Sequence, residues 1–128
     1  MRGGVSAAPG WLAVDYRCTV DVQHHVQAPA DVPEIPVAQL PAAVLPYLYP
    51  SRYCQSDCLT AQAMALFGTL PQGHARVIAV RDWVRSQVRF QSNSSNSMTS
   101  ALDTLHNHAG VCRDFAHLMI AMCRALNI

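Results

Sequence analysis

From Val14 the chain alternates strictly. Val14, Tyr16, Cys18, Val20 and Val22 fall on one face, and Asp15, Arg17, Thr19 and Asp21 on the other. A period of two over nine residues predicts a half-buried β-strand. A strand leaves its edge groups unpaired without a neighbour, and no second strand of equal clarity follows. Pro29, Pro33, Pro36, Pro41, Pro46 and Pro50 come next. Each removes a backbone donor and biases the preceding residue away from helix. This stretch reads as an extended surface linker, with room for a short helical turn between Pro36 and Tyr47.

Helical periodicity starts near Ser56. Ser56 or Asp57 suits the start of a helix through Leu59, Ala63, Leu66 and Phe67, ending at Gly68. Pro71-Gln72-Gly73 opens a second helix with Val77, Val80, Trp83 and Val84 on one stripe. Val88 to Phe90 reads as a short strand. Gln91 to Ser97 is a polar Ser/Asn loop that cannot build a core, though it precedes the most reactive segment and is placed to border a cleft. Thr99 or Ser100 caps a short helix through Ala101, Leu102 and Leu105, and His106 to Gly110 connects it to the last helix, Cys112 to Leu126. From Phe115 to Cys123 every residue but His117 is apolar, which predicts a helix buried on most sides. Asp114 in its first turn and Arg124 in its last match the helix dipole.

These elements divide the chain into a small, Gly-rich start read as disordered (1–10), a strand segment (11–28), the Pro-rich linker (29–50) and a helical core (51–128). The 128 residues amount to one domain or part of one. Half are hydrophobic, 13% are charged and the net charge is +1, so neither nucleic acid nor a membrane surface is an expected partner. No apolar run approaches a membrane span, and Met1 to Gly10 has no apolar stretch of signal-peptide length. The five cysteines are irregularly spaced. Reduced thiols and a cytoplasmic location are therefore expected rather than a disulfide framework.

The candidate chemistry lies at the start of the last helix, in Gly110-Val111-Cys112-Arg113-Asp114-Phe115-Ala116-His117-Leu118. A helix N-terminus presents free N–H groups and a partial positive charge. A thiol placed there can fall from about 8.5 to between roughly 3.5 and 7.5, and the same N–H groups can hold an oxyanion. Cys112 is thus the candidate nucleophile, against the plainer reading of a small hydrophobe at a buried helix end. Gly110 is expected to let the backbone enter at an angle that a residue with a Cβ would resist.

These residues, with Thr99-Ser100-Ala101-Leu102-Asp103-Thr104-Leu105 before them and Cys123-Arg124-Ala125-Leu126-Asn127-Ile128 after, closely resemble the transglutaminase-like superfamily. The nearest likeness is to bacterial transglutaminase-like cysteine peptidases. Pro50-Ser51-Arg52-Tyr53-Cys54-Gln55-Ser56-Asp57 and Val80-Arg81-Asp82-Trp83-Val84 share the likeness, which covers about Tyr47 to Ile128. The resemblance implies an α+β papain-like fold with Cys112 at the N-terminus of the central helix. It implies acyl transfer from a protein or peptide amide through a thioester, without a metal or cofactor. It also implies a Cys-His-Asp triad whose His and Asp follow the cysteine on strands packed against that helix, and it reads the Val14 to Val22 strand as the end of a β-rich N-terminal domain.

The chain departs from that pattern. The only histidine after Cys112 is His117, about 7.5 Å along the helix and roughly 140° around it, and no Asp or Glu follows Asp114. The expectation is a truncated helical half of the core: one N-terminal strand, no C-terminal sheet, no complete triad, little or no activity alone, and self-association through the exposed core face. His106 and His108 read as surface-loop residues, His24 and His25 as solvated, and His117 as a core-edge histidine bonded to a backbone carbonyl. Two non-catalytic readings remain. One is a helical packing domain. The other is a zinc site on Cys54, Cys58, His106 and His108, which would draw Cys112 into structure.

Overall fold

The structure is a computed structural model that describes residues 9–11, 13–24 and 32–128. It contains four helices, α1 (Ser56–Phe67), α2 (His74–Gln87), α3 (Ala101–Asn107) and α4 (Cys112–Ala125), with two strands, β1 (Arg89–Phe90) and β2 (Ala109–Gly110). The strands run parallel, with Arg89 opposite Ala109 and Phe90 opposite Gly110. This is a helix-rich α+β arrangement with a minimal parallel sheet.

Helix α4 is the hub, packing against α1, α2 and α3. Its Leu118, Ala121 and Met122 are fully buried. They meet Leu59, Ala63 and Phe67 of α1 and Val80 and Val84 of α2 in one hydrophobic cluster. Trp83 meets the Phe67 ring edge-on at 6.0 Å between centroids, the geometry that the ring quadrupoles favour. Burial is confined to one side of α4, however: Ala116 and Ile120 are exposed, while Met119 and Cys123 are only half-buried. The expectation of a helix buried on most sides holds for three flanks. The fourth, which also carries Cys112 by its spacing of four, seven, eight and eleven residues, is open.

The helix boundaries fall close to the predicted ones. Helix α1 begins at Ser56, and its cap position is held by Gln55, not Ser56 or Asp57, with no side-chain cap bond; the Ser56 carbonyl accepts from Thr60 Oγ1 at 3.1 Å. Helix α2 follows Gly73 at φ 120°, where a Cβ would lie 2.7 Å from Val32 O, so only glycine fits. Ser100, not Thr99, caps α3: its N–H reaches Asp103 Oδ2 at 2.9 Å while its Oγ accepts the Asp103 N–H at 3.4 Å. The strand expected at Val88 starts one residue later, and β2 was not foreseen within the 106–110 connector.

The Pro-rich stretch is on the surface as expected, but more firmly attached than a linker. Two 3-10 turns, Val37–Gln39 and Leu45–Leu48, occupy it, and the second lies against α4. Val32 O accepts the His74 N–H at 3.0 Å, and Glu34 lies 3.4 Å from the nearly buried Arg76. Arg124 at the end of α4 donates to Tyr49 O at 3.0 Å. Residues Val14 to Val22 alternate in sequence but are all exposed and form no strand. Alternation prepares a face without supplying a partner, and none lies among the described residues. The readings made for residues 1–8, for His25 and for Pro29 lie outside the described residues. No helix among the described residues is long and apolar enough to cross a membrane.

The two sides of α4 should respond differently to truncation. Leu118→Ala should cost about 2–5 kcal/mol, whereas Ile120→Ala should stay within roughly 0.5 kcal/mol of the parent. Urea unfolding followed by circular dichroism tests this pair.

Candidate active site

Cys112 is the first residue of α4 and its side chain is exposed. β2 delivers the chain to Val111, whose extended backbone (φ −105°, ψ 176°) turns it into the helix. Asp114, the third helical residue, is completely buried. Its Oδ2 accepts the Val111 N–H at 2.8 Å, a cap made backwards from inside the helix. Val111 has no polar side chain with which to complete a reciprocal box. The Asp114 N–H returns to Val111 O at 2.8 Å, and the Phe115 N–H reaches the same oxygen at 3.2 Å. The N–H groups of Cys112 and Arg113 are left without an acceptor among the described residues, as first-turn donors are by helix geometry.

Gly110 is required by close approach. A Cβ there would lie 2.8 Å from Asp114 Cβ and 3.3 Å from Thr104 Cγ2. Its φ is not among the positive values, so the expected role in backbone angle gives way to one in packing: glycine leaves room for the buried carboxylate. Thr104 in turn is fixed by its Oγ1 donating to Ser100 O at 2.8 Å.

Asp114 also carries an ion pair. Arg113 Nη2 is 3.1 Å and Nε 3.3 Å from Oδ1. Burial pulls the carboxyl pKa up, but the Val111 N–H, the Ser95 hydroxyl and the Arg113 guanidinium outweigh it, and the group is held below the usual carboxylate range. The same Nη2 also reaches the polar loop, 2.7 Å from Asn96 O and 3.4 Å from Ser95 Oγ. The start of that loop is bound as well, since the Gln91 N–H donates to Gly110 O at 3.0 Å. The loop read from sequence as cleft-bordering therefore meets the chain at Gly110 and Arg113, on both sides of Cys112.

The histidines stay apart from the thiol in function. His108 adopts a left-handed conformation (φ 50°) to end α3, and its Nδ1 lies 2.8 Å from Gln87 O. It is a helix terminator tied to α2. His117 was expected to bond a backbone carbonyl. Instead its Nδ1 is buried without a hydrogen-bond partner, and its ring stacks on Tyr53 at 5.4 Å and 16°. The aromatic contact, not a carbonyl, orients it. His106 is exposed on α3, and His24 is exposed.

The zinc reading does not assemble. Cys54 is buried in the hydrophobic cluster, Cys58 is exposed on α1, and His108 is committed to Gln87. No three His, Cys, Asp or Glu side chains converge on a metal-sized site among the described residues. Cys123 is half-buried, and desolvation pushes its thiol up to about 11. Sequence reasoning gave Arg113 and Tyr53 no role of their own. The signal for Arg113 was its place beside an acidic third helical residue, but its loop partners are a backbone carbonyl and a hydroxyl some 17 residues away.

The transglutaminase-like core profile matches residues 60–128, more than half of the chain. The chain belongs to the transglutaminase-like superfamily. A candidate cysteine protease from Cytophaga hutchinsonii, known from its crystal structure, superimposes with a TM-score of 0.72 at 49% identity over 76% of this chain. An uncharacterised Mycobacterium leprae protein is 38% identical over 52 residues, 41% of this chain. The chain spans 34% of the solved protein's length and 19% of the mycobacterial one's. The superfamily core thus includes α2, α3 and α4 with the whole Gly110–Asp114 turn.

Two outcomes follow for the turn. Gly110→Ala should displace Asp114 and cost about 1–3 kcal/mol, measured by thermal unfolding. Because the Asp114 pKa is depressed by folding, its contribution is present above the unfolded value near 3.9 and is lost as pH falls through the folded one. Asp114→Asn should destabilise at pH 7, and the gap to the parent should close below about pH 4 in pH-dependent urea titrations.

Proposed function

We propose that Cys112 is the nucleophile of an acyl transfer from a protein or peptide amide, in the manner of a cysteine protease. The observation that carries this reading is an exposed thiol on the first residue of a helix whose end is capped from inside. Asp114 occupies the Val111 N–H, so the donors left at the helix end are those of Cys112 itself and Arg113. The partial positive charge of the helix end lies beside that sulfur. Attack on a carbonyl forms the carbon–sulfur bond and moves the carbonyl electron pair onto oxygen. The two free N–H groups are the nearest donors for that oxyanion. Collapse breaks the carbon–nitrogen bond, the amine leaves with a proton, and a thioester remains on Cys112. Water or a second amine then takes the acyl group. Membership of the superfamily and the likeness to a candidate cysteine protease support this chemistry.

Neither His108 nor His117 serves as the base in this reading. The first is held by Gln87 O and the second by Tyr53, about 140° around the helix from the thiol. We place the base and its orienting acid on structure that covers the open flank of Ala116, Met119, Ile120 and Cys123. The chain by itself is then a nucleophile-bearing half-site with little turnover, and its uncovered flank invites self-association.

The test is site-resolved alkylation by iodoacetamide at pH 7, read by peptide mass spectrometry. Cys112 should react about tenfold or more faster than the exposed Cys18, which lies on no helix, as a thiol at a helix N-terminus does. Cys123 should stay unmodified, because burial keeps it protonated. Equal rates at Cys112 and Cys18 would sink the nucleophile assignment.

A further inference from the structure

The polar segment 91–97 is the least core-like part of the folded region, with no charged and no apolar residue in Gln-Ser-Asn-Ser-Ser-Asn-Ser. It is nevertheless held at many points. Within the loop, Ser94 Oγ donates to Gln91 O at 2.7 Å, and Asn93 takes the left-handed conformation (φ 62°) that the turn needs. At its far end the Met98 N–H donates to Asn96 Oδ1 at 2.8 Å, and the Asn96 N–H to Thr99 Oγ1 at 2.9 Å. Three further bonds fasten it to the rest of the molecule: Gln91 N–H to Gly110 O at 3.0 Å, Arg113 Nη2 to Asn96 O at 2.7 Å, and Tyr53 Oη to Ser97 O at 3.0 Å.

Two of those three ties land beside Cys112, at the residue two before it and the residue one after. The third runs through Tyr53 to its stacking partner His117, also on α4. Arg113 is the shortest of the ties and the only charged one. Its guanidinium is planar and can serve partners along more than one edge. One edge is committed to a fully buried carboxylate that would otherwise be an unpaired charge, which fixes the plane of the group. The same Nη2 that binds the carboxylate then also meets Asn96 O, with Ser95 Oγ farther off at 3.4 Å. The chain of restraint runs from the helix cap to a carboxylate, to a guanidinium, to a loop carbonyl.

We propose that Arg113 is a positioning residue that locks the 91–97 loop as a fixed, uncharged wall beside the Cys112 sulfur. The wall sets what size of acyl donor can approach, and its amide and hydroxyl groups suit the neutral main chain of a peptide. This deepens the nucleophile reading of Cys112 and rests on it. The Arg113 side chain acts through the loop and makes no bond to the reacting group.

The experiment compares two neutral reagents with one reactive group, N-methylmaleimide and N-(1-pyrenyl)maleimide, on the intact chain at pH 7. The quantity read is the ratio of their rates at Cys112, normalised to the same ratio at the exposed Cys58. In the parent, Cys112 should favour the small reagent. Arg113→Ala should relax that preference about fivefold, the effect of losing a charge-assisted hydrogen bond. Arg113→Lys keeps the charge but not the planar two-way clamp and should stay close to the alanine variant. An unchanged preference in Arg113→Ala overturns the proposal. So does full restoration by Arg113→Lys, which would assign the effect to charge alone.

If Arg113→Ala fails to fold, Arg113→Lys decides the question, because it keeps a cation beside Asp114 while losing the planar clamp. It should relax the preference in the same direction, and an unchanged ratio overturns the proposal. The ratio compares reagents at one thiol, so it is independent of how reactive that thiol is. Failure of the nucleophile reading shows separately, as equal absolute rates for N-methylmaleimide at Cys112 and Cys18.

Discussion

The buried carboxylate of Asp114 organises the end of the molecule where the chemistry is placed. A carboxylate without solvent must find donors or lose its charge. It finds the Val111 N–H on one side and the Arg113 guanidinium on the other. The first bond ends α4 in a defined way and leaves the Cys112 and Arg113 N–H groups as the free donors. The second turns a surface arginine into a bracket for the neighbouring loop. Gly110 belongs to the same arrangement, since any side chain there would occupy the space of the Asp114 Cβ. Thr104 closes the other wall of that space, fixed by Ser100, which also caps α3. A single desolvated anion thereby links the end of α3, strand β2, the start of α4 and the 91–97 loop.

Helix α4 combines a packed side and an open one, and this division separates its structural from its chemical duties. Leu118, Ala121 and Met122 anchor it among α1, α2 and α3. With those positions fixed, the helix cannot rotate, and Cys112 is held on the open flank at the helix end. For the nucleophile proposed at Cys112, precise placement is worth several orders of magnitude in rate, and that placement derives from core packing more than one helical turn away. The two arginines at the ends of α4 extend the same logic outwards. Arg113 fastens the loop on one end, and Arg124 fastens the Pro-rich segment through Tyr49 O on the other.

What could be read from the sequence depended on how local the cause was. Helices α1, α2 and α4 were legible because their apolar stripes and flanking Gly, Ser and Asp residues lie within a turn or two of what they control. The Val14 to Val22 alternation was equally local, yet a strand requires a second strand, and its residues stand exposed with none beside them among the described residues. His117 was misjudged because its stacking partner Tyr53 is 64 positions away. Strand β2 escaped notice because two residues in a connector carry no periodicity, and only the approach of Arg89 and Phe90 makes them a strand.

The sequence by itself determined the superfamily, the nucleophile candidate and the helix that presents it, because a glycine, a cysteine and an aspartate at fixed spacing encode a local helix start. Only the tertiary structure decided that Asp114 is buried, that Gly110 exists to make room for it, that Arg113 reaches across to Asn96, and that the flank carrying Cys112 stays open. Each of those depends on which distant segments arrive at the same place. Burial and hydrogen-bond partnership are set by that convergence, which residue order along a single element does not specify.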